Sequence, residues 1–161
     1  MTPPAKKEFA IKVSQIPAVR VMGVKIRTTM HAAHTDCARL WNETFMPRMQ
    51  EVPGANGAAY GISEAIDCEA GIFDYWAAVP AAQGAAALPG MEILDLPGGL
   101  YAQCRVESLA DIKAAYDFIY SAWLPGQTEY APDYTAPCYE FYPADYPSDR
   151  VFHIYLRVNK E

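Results

Sequence analysis

One carboxylate stands among three aromatic rings in Tyr139-Glu140-Phe141-Tyr142. Alternation along a strand would set Glu140 and Tyr142 on one face, with Tyr139 and Phe141 on the other. Both faces then carry apolar bulk. A carboxylate in that setting is costly to bury unless a cation, hydrogen bonds or a raised pKa compensates. It could attract a cation, or it could do acid-base work on a bound water. The competing reading is an edge-strand Glu in solvent, where most Glu side chains reside.

Other chemistry-bearing residues are less well placed. His31-Ala32-Ala33-His34, followed by Asp36 and Cys37, has the residue types of a metal site. The segment reads as a loop running into a helix start, however, and no second pair stands at zinc spacing, so no metal is assigned. Cys37 with His34 or His153 as base lacks a third group and an oxyanion element, and an isolated Cys is usually a small buried hydrophobe. Catalytic residues therefore remain unknown, Glu140 being the candidate if the protein is an enzyme, and no cofactor is assigned. Around Glu140 the candidate aromatic wall is Trp41 and Trp123 on helices, with Tyr60, Tyr75, Tyr101, Tyr142 and Tyr155 on strands. Trp123 also closes an apolar helix stripe, and Tyr60 lies on the opposite strand face from Gly61.

These residues are carried by a motif order that occurs twice. Pro17 leads through a helix-like stretch at Trp41 to Tyr60-Gly61-Ile62 and then Phe73; Pro97 leads through a helix ending at Trp123 to Tyr139-Glu140-Phe141 and then His153. The offset is roughly 80 residues, the mark of one duplicated supersecondary unit. The pseudo-repeats cover about 8–82 and 90–158 of a single domain, and a pocket is expected at their seam. The second copy has Glu140 where the first has Gly61, so the framework itself does not require a carboxylate.

Within the copies, residues 9–16 alternate and are followed after Pro17 by an extended run over 19–28, which reads as a hairpin. Cys37, Leu40, Trp41, Phe45 and Met49 then recur at helical spacing, with a break expected near Met46 because Pro47 cannot sit inside a regular helix. Strands follow at 58–64 and 71–79. In the second copy, 91–95 and 100–107 flank the Pro97-Gly98-Gly99 turn. Ser108 and Asp111 form a capping box for a helix striped by Leu109, Ile112, Tyr116, Ile119 and Trp123. Residues 127–137 read as a loop long enough to be a lid, and the last strands are 138–142 and 151–158. The Ala-rich stretch 77–88 reads as the linker between copies. The fold class is α+β, with a helix covering one face of an antiparallel sheet in each copy.

Composition narrows the partners. Acidic residues outnumber basic ones 19 to 13, for a net charge of -6. The Lys and Arg residues are scattered, which argues against nucleic acid as a direct partner. Cysteines 37, 68, 104 and 138 have no paired spacing, and the first residues have no apolar signal-peptide core, so the protein reads as cytoplasmic with reduced thiols. No run approaches the length of a membrane span.

Tyr60-Gly61-Ile62, Leu96-Pro97-Gly98-Gly99-Leu100-Tyr101-Ala102, Trp123-Leu124-Pro125, Glu140-Phe141-Tyr142 and Ile154-Tyr155-Leu156-Arg157-Val158, in that order, resemble the GyrI-like, or bacterial transcription activator effector-binding, family over about residues 8–158. Arg157 stands where the family pattern usually has a proline, which puts the end of the last strand in question. The resemblance implies a duplicated β-α-β-β unit with antiparallel sheets and two main helices flanking a central ligand groove. Flat, hydrophobic and often cationic compounds would sit there against aromatic rings and an acidic residue, whose position Glu140 matches. It implies a stand-alone small-molecule (multidrug or effector) binding domain. Only eight residues precede the first strand, so any effect on transcription would run through a protein partner. Two alternatives come with the resemblance: a hydrolase of cyclopropane-bearing genotoxins using Glu140 and pocket tyrosines, and a protein-binding inhibitor of DNA gyrase.

Overall fold

The computed structural model describes residues 8–160. Its elements are β1 (Ile11–Ile16), β2 (Val19–Thr29), α1 (Ala33–Arg39), β3 (Ala59–Asp67), β4 (Ile72–Pro80), β5 (Glu92–Leu96), β6 (Gly99–Val106), α2 (Ile112–Phe118), β7 (Tyr130–Pro132), β8 (Cys138–Tyr142), α3 (Tyr146–Asp149) and β9 (Phe152–Lys160). The strands follow the path β1-β6-β9-β8-β3-β4-β2-β5, with β7 paired to β9, and every ladder is antiparallel. This path has the same form read from either end: β2, α1, β3 and β4 are answered by β6, α2, β8 and β9. The halves meet at the β3–β8 ladder, where Gly61 faces Glu140, Tyr60 faces Phe141 and Ile62 faces Tyr139. Equivalent positions of two related halves can face each other only at the axis relating them. Gly61 and Glu140 occupy that axis.

The hairpin expected of residues 9–16 and 19–28 does not form. β1 runs along β6, while β2 runs between β4 and β5. The reason is local: a two-residue hairpin needs positive φ at its first loop position, and Pro17 fixes φ near -65°. Pro97 imposes the same restriction between β5 and β6, so each link carries the chain across to the other half. A two-residue link reaches only about 10 Å, yet β1 and β2 stand near opposite ends of the strand path. The sheet therefore curls until its ends approach. Inside the curl lie Val21, Tyr60, Ile62, Trp76, Leu96, Tyr101 and Tyr139, all buried, with Ile16, Val19, Phe141 and Tyr155 packed against them.

The two longer helices, α1 and α2, cover the outer face. Cys37, Leu40, Trp41 and Phe45 pack on Met22, Val24, Tyr75, Ala77 and Val79, while Ala115 and Ile119 pack on Cys104, Val106, Phe152, Ile154 and Leu156. α1 ends before Pro47, as the missing N–H requires. Each helix continues in a widened π turn, Leu40–Phe45 and Ile119–Trp123, closed by Met46 N–H to Trp41 O and Leu124 N–H to Ile119 O, both 2.9 Å. Ser108 caps the 3₁₀ turn Leu109–Asp111 that leads into α2, its Oγ accepting the Ala110 N–H.

Three further expectations need correction. Ala77, Ala78 and Val79 are not linker but the fully buried end of β4. The supposed lid is pinned, because β7 pairs with the end of β9 and the Asp133 N–H donates to Arg157 O. β9 runs through Arg157 to Lys160, so the absent proline leaves the strand uninterrupted. Among the described residues no helix is long and apolar enough to cross a membrane.

Candidate ligand-binding site

Glu140 points from the centre of the sheet to the helix-covered face and is 5% exposed. Its Oε2 accepts from the Tyr116 hydroxyl of α2 at 2.6 Å and its Oε1 from the Tyr142 hydroxyl of β8 at 2.8 Å. Among the described residues no Lys or Arg forms an ion pair with it. Burial raises its pKa, and the two phenol hydrogen bonds, which favour the anion, only partly oppose that rise. The carboxylate fits because its partner on the axis is a glycine. A Cβ on Gly61 would lie 2.5 Å from the Tyr75 hydroxyl oxygen and 2.9 Å from Glu140 Oε1. A second carboxylate at that position would add like-charge repulsion to the clash.

From the other side, Trp41 Nε1 donates to the Tyr75 hydroxyl at 2.8 Å. The Trp41 ring meets Tyr142 edge-on with centroids 6.5 Å apart, and Tyr142 stacks on Phe152 at 4.9 Å. Burial, reinforced by the nearby carboxylate, pushes the phenols of Tyr75, Tyr116 and Tyr142 well above their usual pKa. They stay protonated and serve as neutral donors. The site thus joins one buried carboxyl, three phenols and an indole, drawn from the π turn that follows α1 and from α2, β4 and β8.

Of the side chains singled out in the sequence, Glu140, Tyr142, Tyr75 and Trp41 come together here. Trp123, at the end of the π turn after α2, is half-buried against the core of the second half. Tyr60, Tyr101 and Tyr155 lie across the sheet, inside its curl, where Tyr139 stacks on Tyr155 at 5.0 Å and meets Tyr60 at 5.7 Å and Tyr101 at 5.6 Å. The Tyr101 hydroxyl is committed to Pro97 O at 2.6 Å. Tyr116 was missed, because it reads as one more member of the apolar stripe of its helix. Its phenol was the available signal, since a buried Tyr carries a hydroxyl that needs a partner.

The other chemistry does not assemble. The Asp36 carboxylate accepts from Thr28 Oγ1 at 2.7 Å, and among the described residues no three His, Cys, Asp or Glu side chains gather as metal ligands. Burial, then Glu140 and Asp36, pushes the Cys37 thiol up to about 12, the opposite of what a nucleophile requires. His153 sits on β9 opposite Phe141, on the side of the sheet away from the helices, with its pKa lowered by burial.

A pseudo-symmetric antiparallel sheet with one helix on each half, and a buried carboxylate on the axis between them, defines a two-fold β-α-β-β domain. The GyrI-like small molecule binding domain matches residues 9–159, and the chain belongs to that family. In fold it is similar to SAV2435 bound to tetraphenylphosphonium (14% identity, 95% of this chain and 94% of that one, TM-score 0.70). It is also similar to an integron cassette protein from the mobile metagenome of Vibrio cholerae (16% identity, 94% and 97% covered, TM-score 0.70). A third such structure is the C-terminal domain of EcmrR (12% identity, 95% and 99% covered, TM-score 0.66). At these identities the likeness is one of fold. Among curated proteins, none matches the chain.

Proposed function

We propose that this protein binds bulky, hydrophobic organic cations between α1 and α2, with Glu140 as counter-ion and Trp41, Tyr75, Tyr116 and Tyr142 as the aromatic lining. The observation that carries this reading is a buried carboxyl whose hydrogen bonds come from neutral hydroxyls. Burial without a counter-ion raises its pKa, and a lipophilic cation would offset that desolvation cost, attracted by the anion in a low dielectric and by the negative faces of the rings, whereas an anion is repelled. SAV2435, alike in fold, is seen bound to such a cation. On this reading Tyr60, Tyr101, Tyr155 and Trp123 are core, and the domain is one unit in two copies of which only the second carries the carboxylate.

The test compares tetraphenylphosphonium with tetraphenylborate, which has the same shape and the opposite charge. At about 100 times its dissociation constant a ligand stabilises the fold by about 2.7 kcal/mol, or about 5 to 10 °C in melting temperature for a chain of this size. Tetraphenylphosphonium should give that shift, tetraphenylborate should give none, and Glu140→Gln should abolish the difference. Equal shifts with both ions would defeat the reading. Recovery of the cation with an altered mass would instead make the protein an enzyme.

A further inference from the structure

A cleft of about 350 Å³ opens on the same face of the sheet as Glu140, lined by Met49, Gln50, Ala55, Gly57 and Val79. The strand register relates the two. Across β4, β3 and β8, Ala77, Gly61 and Glu140 form one row on the helix-covered face. One step along, Ala59 faces Tyr142, and the pairing of Tyr60 with Ala78 sets Val79 beside Ala59. Rows on one face are about 7 Å apart, so the cleft begins one row from the carboxylate. The floor between them is made of the smallest side chains available, Gly61, Ala59 and Ala77. Trp41 and Tyr142 meet edge-on with centroids 6.5 Å apart, Tyr142 standing in the row of Ala59 and Val79, and the Tyr75 hydroxyl that accepts from Trp41 lies over Gly61.

We propose that this cleft is the subsite for an aryl arm of the bound cation, and that Trp41 and Tyr142 part to admit it. The inference rests on the cation-binding reading and adds where the body of the ligand lies: to one side of the pseudo-two-fold axis, over the first half of the chain. Volume and chemistry both fit. A dry cavity of about 150 Å³ holds a benzene ring, so this cleft has room for an aryl group, and among the described residues no charged side chain lines it. The pair is suited to move. Trp41 belongs to the π turn Leu40–Phe45, a widened geometry frequent at functional sites. The Tyr142 hydroxyl is held by Glu140, and a cation paired with that carboxylate competes for the same oxygen.

The experiment titrates the full chain with tetraphenylphosphonium and with tetramethylphosphonium, which has the charge without the aryl arms. Ala55→Trp and Gln50→Trp fill the cleft from exposed positions, and Glu140→Gln serves as the reference for loss of the counter-ion. Each cleft variant should weaken tetraphenylphosphonium at least tenfold and change tetramethylphosphonium less than twofold, whereas Glu140→Gln should weaken both. If both filled variants bind tetraphenylphosphonium as the wild type does, or lose both cations equally, the subsite is wrong and the cation-binding reading stands. If the wild type binds neither cation, that reading fails and the subsite with it. Should Ala55→Trp lower the melting temperature, Gln50→Trp decides.

Discussion

Glu140 is a residue whose environment works against its own charge. Its folded-state pKa is raised, chiefly by burial, so above the ordinary carboxyl value the folded protein binds a proton that the unfolded chain has released. Stability then falls as pH rises from about 4.3, the unfolded value, through the raised folded value, and levels off beyond it. Glu140→Gln has no proton to lose. The variant should show a flatter pH–stability profile across that window and a higher melting temperature than wild type at the alkaline end. Urea unfolding at a series of pH values checks this, and parallel profiles for the two proteins would mean that Glu140 is ionised and at ease in the folded state. The carboxylate was legible in the sequence because alternation in β8 and the mismatch with Gly61 both marked it. The rings around it were legible only in part. A high aromatic content says that rings will gather, but the side of the sheet on which Tyr60, Tyr101 and Tyr155 do so depends on curl and register, which no single strand encodes.

At the scale of elements the β3–β8 ladder is the critical joint, since it unites the halves and holds the axis. Alanine in place of a strand glycine normally gains about 0.5–1 kcal/mol. At Gly61 the sign should reverse, because the new methyl would sit 2.5 Å from the Tyr75 hydroxyl and 2.9 Å from Glu140. Overpacking of this kind costs about 1–3 kcal/mol. Adding Tyr75→Phe removes the nearer oxygen and should recover part of the loss, giving a positive coupling in a double-mutant cycle. Additive effects would show that the ladder yields without strain. The helices were readable from their stripes and from Pro47, but their π turns were not, because one extra residue in a turn shifts the apolar spacing too little to see. The strand pairing was misread for a definite reason. Two alternating runs joined by two residues look like a hairpin until the φ required of Pro17 is considered, and the same holds for Pro97.

For the whole molecule, the consequence of those two prolines is an exchange of strands. β1 precedes the first half but pairs with β6 of the second, and β5 precedes the second half but pairs with β2 of the first. Each half thus lacks an edge strand of its own, and the curl that follows encloses one core drawn from both. Separate unfolding of the halves would strip β1 or β5 from its partner and open that shared interior. The chain should therefore unfold as one cooperative unit. Trp41 reports on the first half and Trp123 on the second. With Trp76 replaced by Phe to silence the shared interior, variants that keep only Trp41 or only Trp123 should give urea midpoints displaced from each other by no more than their separately measured stabilities explain. Far-ultraviolet circular dichroism should follow the same curve as fluorescence in each variant. A transition at Trp123 that precedes the loss of secondary structure would mean that the second half can melt alone, and that β1 and β5 are appended strands with no part in joining the halves.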